Sequence, residues 1–97
     1  MDVVHSQNVR LLVRSLLVLQ NEEEASAYLE DLMTSQELMS VSQRLNVAVM
    51  LSQGKKYDEV AEATGASSAT ISRVNRCIRY GRGGYQTVID RLEEKEL

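Results

Sequence analysis

The chain has 97 residues, a net charge of −3, one cysteine and no proline, tryptophan or phenylalanine, which bounds it to one domain with a modest core. Domains of this size commonly gain burial by pairing, and the lone Cys77 excludes an internal disulfide framework and fits a reducing compartment. The longest apolar run, residues 11–19, is broken by Arg14 and Ser15 and is too short to span a membrane, and no basic-then-apolar leader opens the chain, so a cytoplasmic protein is expected.

Every long segment has helical period. Val9, Leu12, Val13, Leu16 and Leu19 recur at three- and four-residue spacing and predict a first helix over residues 6–20. Asn21 followed by Glu24 is an N-cap with a carboxylate three residues on, and Glu22, Glu23 and Glu24 suit the positive end of a second helix over 22–33. Its apolar side holds Ala25, Tyr28, Leu29 and Leu32.

Thr34 with Glu37 forms a fuller capping box and opens a third helix running to about residue 53. Leu38, Val41, Leu45 and Ala48 give that helix one stripe, and Met39, Val47, Met50 and Leu51 widen it beyond a single face. A helix apolar on most sides must be covered on most sides, and in so short a chain the simplest cover is a second subunit. Gly54 ends the helix and Lys55 and Lys56 follow.

Residues 57–78 have the pattern of a helix-turn-helix. Ala61 suits a close crossing of two helices, and Gly65, four residues later, takes the left-handed backbone of a tight turn at little cost. Ile71 and Val74 turn one face of the second helix back onto Val60 and Ala61. The opposite face carries Ser67, Ser68, Ala69, Ser72, Arg73 and Arg76, the composition expected of a helix laid in the major groove of DNA. Arg82, Gly83 and Gly84 then break the chain, and Val88, Ile89 and Leu92 mark a last helix over 84–95. The fold class is all-α with about six helices: 1–53 for dimerisation, 57–79 for the helix-turn-helix, 84–95 at the C-terminal end.

The acidic total hides a segregation of charge. Residues 1–53 hold three basic and seven acidic side chains, a net of −4, whereas residues 54–89 hold six basic and three acidic, a net of +3. Arg73, Arg76, Arg79 and Arg82 recur at every third position of the positive segment. Such clustering creates a local phosphate-attracting field within an acidic protein, although a solvated charged helix face has the same composition.

Three patches resemble the tryptophan repressor family: Leu32, Met33 and Thr34 opening the long helix, Gln43 and Arg44 within it, and Thr64, Gly65 and Ala66 followed by Ala69, Thr70, Ile71, Ser72 and Arg73. The resemblance spans about residues 29–92. It implies an intertwined, all-helical homodimer whose fourth and fifth helices read double-stranded DNA. In that family tryptophan lies between two arginines, whose positions Arg44 and Arg73 match, with Thr34 and Val74 bordering the same pocket. Tryptophan-responsive members have glycine after the second arginine; this chain has Val74, whose branched side chain would fill a slot sized for an indole ring. Tryptophan is therefore not the expected effector. A smaller acid held by Arg44 and Arg73 stays open as an alternative.

On this resemblance Ser68, Ala69 and Ser72 face base edges, Thr70 lies between them in the same DNA-binding set with Ser67, and Lys56, Arg73 and Arg76 hold phosphates. The operator is expected to be a near-palindrome with half-sites about 34 Å apart. An enzyme is disfavoured: His5 is the lone histidine, Cys77 has no partner base in the sequence pattern, and no metal-ligand spacing or cofactor motif occurs. A helix-turn-helix that binds another protein is the other class left open.

Overall fold

The structure, a computed structural model, describes residues 6–95. These form six α-helices and no strand: α1 Gln7–Leu17, α2 Glu22–Leu32, α3 Ser35–Ser52, α4 Tyr57–Thr64, α5 Ser68–Tyr80 and α6 Gly84–Glu94. His5 lies outside the described residues. The chain divides into two compact units, Met1–Leu38 and Met39–Leu97, with the boundary inside α3.

In the first unit the helix ends are closed by polar caps. Ser6 caps α1 by accepting the Val9 N–H, and the Ser15 hydroxyl bonds the Tyr28 hydroxyl at 2.6 Å. Asn21 accepts the Glu24 N–H at 2.8 Å, as the sequence predicts, but the Glu24 carboxylate reaches back to the N–H of Gln20. That reach explains why α1 stops at Leu17, short of residue 20: the segment before Asn21 is drawn into capping α2. The Thr34–Glu37 box closes in both directions, at 2.9 and 3.1 Å. Neither α1 nor α2 buries a residue completely; Leu12, Val13 and Leu16, the predicted inner stripe of α1, remain about half exposed.

The second unit contains the core: Val47 and Ala48 of α3, Val60 of α4, Ala66 of the turn, Ile71 and Val74 of α5, and Ile89 of α6. Val49, Met50, Leu51, Ala61, Ile78 and Tyr85 pack around it. The predicted stripe of α3 therefore divides. Ala48 is buried, together with Val47 from the broader apolar surface, but Val41, Leu45 and Met39 stay exposed. Within the second unit, the last two turns of α3 supply Val47 and Ala48 to the cluster shared with α4 and α5.

Each boundary in this unit has a local cause. Gly54, at φ 82°, closes α3 with its N–H on the Leu51 carbonyl. The Lys56 N–H is taken by the Glu59 carboxylate, which starts α4. Gly81 caps α5 with its N–H on the Cys77 carbonyl, in a conformation where a Cβ would run into that same oxygen, so glycine is required. Among the described residues no helix is long and apolar enough to cross a membrane.

Candidate nucleic-acid interface

The turn between α4 and α5 is built from three consecutive residues. Thr64 donates its hydroxyl to the Val60 carbonyl at 2.7 Å and accepts the Ala66 N–H at 3.2 Å, so it seals the end of α4 and bends the chain. Gly65 follows at φ 73°, ψ 6°, left-handed as the sequence predicts, with its N–H on the Ala61 carbonyl at 2.9 Å. Ala66 then buries its methyl group in the core. From α3, the Gln43 side-chain amide donates to the Thr64 carbonyl at 3.1 Å.

Helix α5 begins with Ser67 as N-cap, its hydroxyl accepting the Thr70 N–H at 3.1 Å. The same hydroxyl donates to the Thr70 hydroxyl at 3.1 Å. Ser67 and Thr70 thus spend their polar groups on each other, and Thr70 is half-buried. Both serve the start of the helix, and Ser67 is the one of the pair that composition places on the DNA face.

At about 100° per residue, Ile71, Val74 and Ile78 share one side of α5. Ile71 and Val74 are each 1% exposed. The other side presents Ser68, Ala69, Ser72, Arg73 and Arg76, all exposed. Ala69, Ser72, Arg73 and Arg76 line one shallow concavity together with the exposed Cys77. Helix α5 carries three arginines and no carboxylate, so nothing within it neutralises that surface. Its N-terminal dipole adds to the positive field.

Composition singles out neither Tyr80, on this face, nor Gln43, behind the turn. Tyr80 is 80% exposed and falls two turns beyond Arg73, hence on the same side of the helix. Gln43 donates a hydrogen bond to the turn that precedes α5. The helical arithmetic from Arg73 would have found the tyrosine; no sequence pattern pairs Gln43 with a carbonyl 21 residues away.

Residues 7–93 match the family described as Trp repressor protein. The chain belongs to the Trp repressor family. It is 42% identical over 95 residues to the uncharacterised protein YerC of Bacillus subtilis (strain 168), covering 98% of this chain and 91% of YerC. Among solved structures it is similar to a TrpR-like protein from Eubacterium eligens ATCC 27750, with a TM-score of 0.87, 46% identity and 93% of each chain covered. A candidate Trp repressor from Staphylococcus aureus superposes with a TM-score of 0.88 at 38% identity, covering 96% of this chain and 95% of that one.

Against that family frame, the four residues expected at an effector pocket have distinct surroundings. Arg44 and Arg73 are exposed, on α3 and α5. Thr34 belongs to the first unit, and its hydroxyl accepts the Glu37 N–H. Val74 is part of the core cluster that includes Val60 and Ile71. Lys56, expected at phosphate, is exposed just before α4. Among the described residues no group of three or more His, Cys, Asp or Glu side chains is arranged to hold a metal.

Proposed function

We propose that the chain is a cytoplasmic, sequence-specific DNA-binding transcriptional regulator, a repressor that binds a near-palindromic operator as a homodimer and does so without tryptophan. The observation that carries this reading is the division of α5 into two opposed sides. One side is locked into the core by Ile71 and Val74; the other offers Ser68, Ala69, Ser72, Arg73 and Arg76 to a groove. Short hydroxyl and methyl groups meet base edges, and arginines meet the phosphates that set register. Small side chains discriminate weakly contact by contact, so DNA shape and ordered water are expected to carry much of the specificity.

Independence from tryptophan rests on Val74. A 1% exposed branched side chain fills its site from within the chain, and packed interiors have little spare volume for a ring. The homodimer rests on the apolar residues left open on α1 and α3, among them Leu16, Met39 and Leu45. No chemistry of bond making is assigned, and the protein acts as a regulator and not as an enzyme.

The deciding experiment selects bound sequences from a pool of random duplexes, then titrates the protein with L-tryptophan by calorimetry. A near-palindromic consensus and no heat of binding are expected. Failure to enrich any duplex would overturn the DNA-binding reading, and micromolar tryptophan binding would overturn its ligand independence.

A further inference from the structure

We propose that Gln43 is a positioning residue: an internal latch from α3 that fixes the angle at which the α4–α5 pair sits on the long helix. The last carbonyls of any helix lack intrahelical donors, and the Thr64 carbonyl closes α4. The Gln43 Nε2 meets it at 3.1 Å in a half-buried setting, four residues before α5 starts at Ser68.

Among the described residues, α3 also shares with this pair an apolar cluster that holds Val47, Ala48, Val60, Ile71 and Val74. Apolar packing resists separation but has no direction, so helices held by it alone can slide and swivel. A hydrogen bond has a preferred direction and distance. Gln43 lies one turn before Val47 on the same side of α3, at the rim of the core, where a single directional contact has the longest lever on the swivel.

The Thr64 hydroxyl transmits this constraint. It ties Val60 and Ala66 on either side of the same residue, so a shift of Thr64 moves both the end of α4 and the buried start of the turn into α5. The consequence for DNA rests on the function proposed above. In a homodimer joined through α1 and α3, the swivel of each pair on α3 sets the separation of the two reading helices. The latch therefore governs tolerance to half-site spacing, not the charge that attracts phosphate.

The test uses the full chain with Gln43→Met, which keeps length and loses the donor, and Gln43→Glu, which sets an acceptor against an acceptor. Amide exchange over residues 65–70 is expected to quicken by about fivefold in Gln43→Met and more in Gln43→Glu, with α6 amides unchanged. Gln43→Lys keeps a donor of comparable reach and is expected to exchange like the parent. Affinity for the selected operator should fall about fivefold in Gln43→Met, while affinity for random duplex at low salt changes less than twofold.

Unchanged exchange over 65–70 in both donor-less variants, or exchange in Gln43→Lys matching that of Gln43→Met, overturns the latch. Equal losses on operator and random duplex reduce Gln43 to general stability and overturn its positioning role. Should the parent protein bind no duplex, the DNA-binding function fails on its own, and the exchange measurements still decide the latch.

Discussion

The Ser67 hydroxyl lies 3.1 Å from both the amide nitrogen and the hydroxyl oxygen of Thr70, so it is committed to starting α5. Its neighbour Ser68 is exposed in the first turn. Replacing an N-cap serine by alanine removes a partner from an otherwise orphan N–H. Ser67→Ala should therefore cost about 1 kcal/mol in urea unfolding, whereas Ser68→Ala should stay within about 0.5 kcal/mol and act on operator preference instead.

Gly65 supplies a second separation of causes. A Cβ built there meets nothing within 4 Å, so any penalty comes from its φ of 73° and not from crowding. Gly65→Val should lose about 2 kcal/mol or more, and Gly65→Asn clearly less, because asparagine tolerates the left-handed region. Thermal unfolding of the two variants beside the parent measures the difference. Equal melting would place the strain elsewhere.

Val74→Gly removes a side chain that is 1% exposed and puts glycine inside a helix. Cavity and helix-propensity losses together should destabilise the protein by about 3 kcal/mol, read from the denaturant midpoint. Operator affinity should fall with it, since the side of α5 that holds the helix in place is the one weakened.

Arg76→Ala is expected to weaken binding to every duplex alike. Each phosphate neutralised contributes about −0.9 to the slope of log affinity against log salt, so the dimer slope should flatten by about 2 units. Salt titrations of parent and variant on one random duplex provide the comparison; an unchanged slope removes Arg76 from the backbone contacts.

Leu16 is 48% exposed on α1, and Leu17 is 77% exposed beside it. A homodimer that covers this side should be disrupted by Leu16→Glu, which would bury an unpaired charge. Sedimentation at micromolar concentration should show dimers for the parent and monomers for the variant. A monomeric parent would reject the homodimer.

The legible parts of the chain were those governed by short-range rules. Gly65 and its left-handed turn, the reciprocal Thr34–Glu37 cap and the buried Ile71–Val74 face all follow from neighbours within four residues. Competition between adjacent rules was harder to see. Leu19 and Gln20 extend the apolar and helical pattern of α1, yet the Glu24 carboxylate claims the Gln20 N–H for the next helix. Composition also placed Ser67 and Ser68 on one face, because a serine that caps a helix and a serine that meets a base look alike in sequence. Long-range geometry left no trace at all: Gln43 and Thr64 carry no pattern that joins them. Val41 and Leu45 read as core because their spacing is right, yet they are exposed, since spacing gives the side of a helix and not what lies against it.

Val74 is built into the interior at 1% exposure, so under the function proposed above readiness for an operator would be a by-product of reaching the native state. Occupancy of the target then follows copy number: two folded protomers must meet, so doubling synthesis raises the active species more than twofold when dimers are scarce. On that proposal the regulator would answer to transcription, translation and proteolysis of its own message and product, and its signal would be a quantity instead of a metabolite.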